Sequence, residues 1–447
     1  MSETKSEGKF NIKLTFFIGL AFFTTEVAWS LYNARVNLLL KDYLILTSLV
    51  GLWMALDNII GVILQPIMGS ISDNTRSRFG RRLPYIIIGI PAGAIFFALI
   101  PTQQNLTQLL IWMFFFGIAM GFYRSQAVSL MPDFIETVNR SKGNAIINMM
   151  GGVGGVIGYG LSLIAGLITL QGSFIIVSIL MVLSLFILIW KVDEKESYSY
   201  KALLEREQLE GKKLKEEKKK PSIISSFKDV LKEEDKSTLI MGLAIFFWFV
   251  AFQGLAALLS IYGKYVLLQS EDVAGFLAFF VALPIIIFAY PFAIVAGKIG
   301  RRNAIKLGLT IMILCLIIIF FIGWTMRADG LILIIILLVI GGLGWSFVNV
   351  NSIVIIWELA PTDEKVGTYT GIYYFFSFLA AITGPYIVGG ITDLFNNPLL
   401  NEPPYTLVLN AAIFLIIAVI LMFFVRRGEV KLTEEEKIAR QKAIAEL

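Results

Sequence analysis

The chain has 447 residues, 57% of them hydrophobic and 16% charged, with a mean hydropathy of +0.77. A soluble domain carries about 45–50% apolar and about 25% charged residues, so this composition excludes one. The net charge of +5 sits in connectors beside apolar runs, which excludes a nucleic-acid reading, while a single Cys315 and the lack of histidine exclude an internal disulfide, a cysteine metal site and imidazole proton chemistry.

Met1 to Lys13 are polar and mixed in charge. The apolar run that follows is too long for a signal-peptide core and has no small-residue cleavage site, so it is expected to stay as the first membrane helix. Twelve spans are expected in all. In the first half they cover roughly 14–36, 44–71, 83–100, 106–131, 144–169 and 173–191. In the second they cover roughly 238–263, 273–297, 304–325, 330–358, 367–391 and 405–425. Lipid offers no partner to an unpaired backbone, so runs of this kind must be helices.

Between the second and third spans, Gln65-Pro-Ile-Met-Gly-Ser-Ile-Ser-Asp73 leads into Asn74-Thr-Arg-Ser-Arg-Phe-Gly-Arg-Arg82, with Asp73 and four arginines in ten residues. A weaker echo, Gly297-Lys-Ile-Gly-Arg-Arg302, stands between spans 8 and 9. A further pair of junctions matches: Pro132-Asp133 with Arg140-Ser-Lys142-Gly143, and Pro361-Thr-Asp363-Glu-Lys365-Val-Gly367. Each follows the fourth span of its half, which suggests parallel repeats. Basic residues crowd one set of connectors (Arg76, Arg78, Arg81, Arg82; Arg140, Lys142; Lys298, Arg301, Arg302, Lys306; Arg426, Arg427), and the other set holds only Lys41, Lys264 and Arg327. The positive-inside rule then puts both termini in the cytoplasm of a multi-pass protein of the plasma or inner cell membrane.

The expected organisation is a six-helix bundle at 1–190, a charged cytoplasmic linker at 191–236, a second bundle at 237–425 and a cytoplasmic tail at 426–447. The linker holds 13 Lys or Arg against 12 Asp or Glu, and Ala202 to Glu217 reads as a solvated helix. Thr433 and Glu436 form a capping-box pattern for a short tail helix.

Charged side chains inside a membrane cost about 2.5–3.5 kcal/mol each on insertion scales and are functional candidates by default. Glu26 and Asp57 fall near mid-span and are the candidate proton-coupling groups; Arg124 lies in span 4 and Glu358 at the end of span 10. Trp29 and Asn33 share a helix face with Glu26, an aromatic beside hydrogen-bonding groups, which suits a sugar. Trp53, Asp57, Gly61 and Gln65 line up at four-residue spacing along span 2. Further candidate substrate contacts are Tyr123, Asn148, Gln253, Trp248, Trp345, Asn349 and Asn351; the last two point to different faces, so at most one lines a cavity. Arg35, at the outer end of span 1, reads as snorkelling to the interface. Asp73, Arg78, Gly80, Arg81, Arg82, Asp133, Arg140, Arg301, Arg302 and Glu358 form the candidate cytoplasmic gate. The Gly151-Gly-Val-Gly-Gly155 run reads as close helix packing, since no strand precedes it.

These residues resemble the major facilitator superfamily, and more narrowly the sucrose-transporter branch of the glycoside–pentoside–hexuronide cation symporters. Ser72-Asp73 with Ser77-Arg-Phe-Gly-Arg-Arg-Leu-Pro-Tyr85 is similar to that branch's loop, as are Asn144-Ala145, Gly154 and Gly158-Tyr159 to its fifth helix. Asp133 falls where the branch has an aspartate closing helix 4, but Val128 stands where it has an arginine, and the nearest here is Arg124. Sodium-coupled melibiose permeases carry two aspartates in the last turns of helix 2; here Gln65 and Gly61 stand there. A sodium cage wants charged oxygen ligands, so the resemblance implies proton coupling. The implied activity is proton-coupled symport of a sucrose- or maltose-like glucoside by alternating access, in a monomer with lipid, sugar and proton as its partners and with no cofactor, metal or nucleic acid. An uncoupled facilitator or exporter, and a sodium-coupled symporter, are the alternatives; a membrane enzyme has no nucleophile-and-base set to rest on.

Overall fold

The computed structural model describes residues 10–135, 139–210, 235–360 and 365–428. Among them, twelve helical spans are long and apolar enough to cross a bilayer, as expected. The first half holds α1 (Ile12–Tyr43), α2 (Thr47–Met54), α3 (Leu56–Asp73), α4 (Leu83–Leu99), α5 (Leu106–Phe134), α6 (Arg140–Leu163), α7 (Ala165–Ile168) and α8 (Leu170–Lys191). After α9 (Tyr198–Glu210) come α10 (Ser237–Tyr265), α11 (Glu271–Ile299), α12 (Arg301–Thr325), α13 (Leu331–Leu359), α14 (Val366–Phe395) and α15 (Leu407–Phe424).

Local chemistry sets several of these boundaries. Asn11, Asn105 and Ser270 each turn a side-chain oxygen onto an amide of the first turn of α1, α5 and α11, satisfying one of the donors a helix start leaves orphaned. Gly300 takes φ +87° between α11 and α12, a backbone few residues other than glycine adopt at low cost. Prolines at 66, 91, 132, 284, 291 and 385 lie inside helices, tolerated because neighbouring helices can re-satisfy the freed carbonyls.

The second span differs from its sequence reading. It is interrupted at Ala55, so α2 and α3 are separate helices of one crossing (Thr47–Asp73), and Trp53 is on the other side of the break from Asp57, Gly61 and Gln65. The fifth span also stops short: α6 ends at Leu163, and a single turn, α7, leads to Thr169 at φ +68°. The expected linker helix is present as α9; its continuation to Glu217, the 361–364 part of the second repeat junction and the tail capping box at Thr433 lie outside the described residues.

An even number of crossings brings the start of α1, the end of α8, α9 and the end of α15 to one side, here the linker face; the other is the distal face. Within each half, small residues let helices approach closely. A Cβ at Gly154 or Gly158 would stand 2.9 and 2.6 Å from the α1 carbonyls of Phe23 and Val27, so the glycine run is the packing surface the sequence suggested. Gly308 and Gly344 play the same part between α12 and α13.

Candidate functional site

Three ionisable side chains come together at mid-bundle, all from the first half. Glu26 is half-buried on α1, where a Cβ at Gly151 of α6 would stand 3.1 Å from its Cγ. Asp57 is in the first turn of α3, directly after the break at Ala55, beside Asn58, whose side-chain amide donates to it at 3.2 Å. An acid in the first turn faces the positive end of the helix, which favours its anion. Arg124 of α5 exerts its field on both carboxylates. A broken helix presenting a charged side chain at mid-membrane is the arrangement expected of a transport site.

Aromatic groups of the first half flank this centre. Trp29 meets Tyr32 edge-on at 5.1 Å and Phe116 at 5.2 Å, and its indole N–H has no acceptor among the described residues. Tyr123 is fully buried, its hydroxyl 3.3 Å from Thr24 Oγ1, so it supports α1 from behind. From the second half, Trp345 stacks on Phe252 at 3.9 Å with its plane tilted 8°. Asn33, Trp53 and Gln253 are half-buried. Asn148 is exposed, one turn toward the linker face from Gly152, whose Cβ position would meet Ile286 of α11 at 3.0 Å. Asn349 is exposed one turn toward the linker face from Trp345, while Asn351 is buried and donates to the Phe347 carbonyl at 2.8 Å. The two asparagines therefore differ in surroundings, as their spacing suggested. Trp248 is fully buried inside its own bundle.

The loop residues form a buried network on the linker face of the first half. Asp133 accepts from Arg81 at 2.6 Å and Arg82 at 3.2 Å, and Arg82 also pairs with Asp73 at 2.5 Å. Glu194, just past α8, receives the backbone amides of Arg81, Arg82 and Leu83 at 2.8–3.0 Å and so caps the start of α4. Burial pushes its carboxyl above the ordinary range, against the pull of those amides. A side chain at Gly80, φ +105°, would run into Glu194, which is why the loop needs glycine there. Arg78 lies over the Phe79 ring, and Arg140 donates to the Tyr198 hydroxyl at 3.1 Å, docking α9. In the second half Arg301 pairs with Glu358 at 2.8 Å, and Arg302 donates to the carbonyls of Val425 and Arg426.

On the distal face the polar groups join the two halves. Arg35 is not at the interface: it is only 4% exposed and bridges Asp272 at 2.9 Å and Glu271 at 3.3 Å on α11. The snorkelling reading failed because its partners lie more than two hundred residues away in sequence. Sequence reasoning also missed Asp393 of α14, whose carboxylate takes the amides of Thr47 and Ser48 at 2.9 and 2.7 Å and caps α2 from the other half. Asn37 donates to the Ala257 carbonyl at 2.8 Å. A Cβ at Gly51 would lie 2.2 Å from the Pro385 carbonyl oxygen, so the halves touch there backbone to backbone.

The sequence pattern of the Major Facilitator Superfamily matches residues 18–385 and again 241–446. Over 156 residues, 31% of this chain and 29% of the relative, the protein is 27% identical to the membrane-associated transporter protein of Homo sapiens. Over 159 residues, 32% of this chain and 21% of the relative, it is 28% identical to proton-associated sugar transporter A of Mus musculus. The match thus spans less than a third of the length of these curated relatives. Among solved structures, the nucleoside transporter NupG superposes with a TM-score of 0.73 at 11% identity, over 93% of this chain and 100% of that one. A peptide transporter POT in complex with alafosfalin does so with a TM-score of 0.68 at 16% identity, over 92% and 93%. Likenesses at this identity speak for the fold. With the family match extending over most of the chain, the protein belongs to the Major Facilitator Superfamily and is a multi-pass membrane transporter of that type.

Proposed function

We propose that the protein is a proton-coupled sugar symporter working by alternating access, with the linker face in the cytoplasm. The observation that carries this reading is the mid-bundle set of Glu26, Asp57 and Arg124 beside Trp29. Two carboxylates share the field of one guanidinium, so one negative charge is left over when both are ionised. Neutralising it with a proton makes one acid a donor to a sugar hydroxyl, which ties the affinity for sugar to that for protons. Trp29 offers a ring for the C–H face of a sugar and an N–H for a hydroxyl. Asn33, Asn148, Gln253 and Asn349 are the further proposed hydrogen-bonding groups, with Trp53 and Trp345 as ring walls and Tyr123 bracing α1 behind them.

The orientation rests on the crowding of arginines on the linker face. The sequence likeness to proton-associated sugar transporter A of Mus musculus supports both the sugar and the proton in this reading. A sucrose- or maltose-like glucoside, in the manner of the glycoside–pentoside–hexuronide symporters, is the proposed cargo.

The test is sugar-induced alkalinisation outside proteoliposomes of the purified chain. Wild type is expected to take up protons with sugar; Asp57→Asn or Glu26→Gln is expected to abolish the proton signal. Sugar flux with no proton movement would reduce the protein to a facilitator, and a signal dependent on sodium in place of protons would overturn the choice of ion.

A further inference from the structure

The two walls of the mid-bundle site differ in kind. Glu26, Asp57 and Arg124 all stand on the first half. On the second half, Phe252, which stacks on Trp345, borders a cavity of about 100 Å³. Its walls are aliphatic and aromatic, among them Leu255, Val281, Met312, Leu316 and Leu338 from α10, α11, α12 and α13. Tyr159 of α6 is the single residue the first half contributes to that lining. The same tyrosine stands beside Ser30 and within the field of Glu26, so the apolar cavity and the charged centre share a wall.

We infer that this cavity is a subsite for an apolar aglycone, and that the preferred cargo is a glycoside carrying an aryl or alkyl group. This rests on the sugar-transport reading and sharpens its cargo: the group joined to the glucoside ring is apolar, in place of the second sugar of a sucrose- or maltose-like molecule. The sugar ring is held at the charged centre, and the aglycone passes Tyr159 and Phe252 into the cavity. A polyhydroxylated second sugar in that position would lose its water to walls that offer it almost no hydrogen bonds, a cost an aryl group does not bear. Burial of such a group instead adds affinity in proportion to the area covered.

The experiment uses the full chain in proteoliposomes, with methyl glucoside and phenyl glucoside as competitors of sugar uptake. Phenyl glucoside is expected to compete roughly tenfold better or more. Filling the cavity by Ala282→Phe should bring the two to near equality while methyl glucoside still competes. A second readout needs no variant: Cys315, the chain's single cysteine, lines the cavity, so phenyl glucoside should slow its alkylation by N-ethylmaleimide and methyl glucoside should not. Equal competition with unchanged alkylation overturns the subsite and leaves the transport reading standing. Alkylation that responds only to removal of bilayer lipid makes the occupant a lipid chain and likewise overturns it. Absence of uptake or competition by every glycoside overturns the transport reading itself.

Discussion

The linker face carries many more charged groups than the distal face, and the two faces use theirs differently. On the distal face, Arg35, Asp272, Glu271 and Asp393 reach from one half to the other. On the linker face, the ion pairs of Arg81, Arg82, Asp73 and Asp133 stay inside the first half, and those of Arg301 with Glu358 and Arg427 with Asp235 stay inside the second. The distal ties lock two bodies together, while the linker-face networks hold each body in shape. A transporter that rocks two rigid bundles needs both: contacts that can be exchanged on the side that is closed, and bracing that survives when a side is open. In this conformation the closed side is the distal one, and the exposed Asn148 and Asn349 lie on the linker side of the site.

That contrast can be broken from either face. The largest effect is expected from Asp133→Ala, which strips two buried arginines of their shared partner. Arg82 keeps Asp73, but Arg81 is left buried without a carboxylate; breaking a buried pair in this way costs about 3–5 kcal/mol, so the variant should lose most of its folded yield and melt well below wild type in detergent. Gly51→Val comes next. Its added carbons collide with the Pro385 carbonyl, and overpacking of this kind costs about 1–3 kcal/mol in the distal-closed state alone. It should melt nearly as wild type yet open the distal face, seen as faster labelling of a cysteine placed by Ser162→Cys, at a fully buried position beside α11.

Arg35→Gln should shift the same equilibrium by roughly tenfold, about 1.4 kcal/mol, because Glu271 and Asp272 are partly solvated and can turn to water. Glu271→Gln with Asp272→Asn should shift it in the same direction. If either change left distal labelling untouched, the tie would be a bystander.

Asp235→Asn probes bracing at its weakest, with an effect below about 0.5 kcal/mol, since the group is largely open to water. The Ser237 hydroxyl and amide, then Arg427, hold this carboxyl below its ordinary range. A depressed acid adds stability above the ordinary carboxylate range and loses it as pH falls through that range. The small drop in melting temperature should therefore be present at pH 7 and gone in acid; a constant difference across pH would point away from the carboxylate's charge.

The crossings were legible because hydropathy over twenty residues is a strong signal, and ten of the twelve follow the expected runs with shifted ends. The two irregular ones were not. Nothing at Ala55 itself marks a break, and the nearest proline, Pro66, sits inside an intact helix. The gate residues were legible as a loop motif, and Asp133 as a charge at a helix end, but their pairing was not. Glu194 was hidden in a linker crowded with acids; the one clue was Gly80 before two arginines, a turn that leaves the amides of a helix start needing an acceptor. Arg35 and Asp393 could not be paired at all, because their partners come from the other half and sequence spacing carries no information about that contact.

The most direct test of the two-face account is labelling from each side of oriented vesicles, using Asn148→Cys and Ser162→Cys in turn with Cys315→Ser. The resting protein should react at position 148 from the linker side and resist at position 162 from both sides, and sugar with an inward proton gradient should raise labelling at 162 and lower it at 148. Labelling at both positions in the resting state, or changes in the same direction on adding sugar, would contradict it.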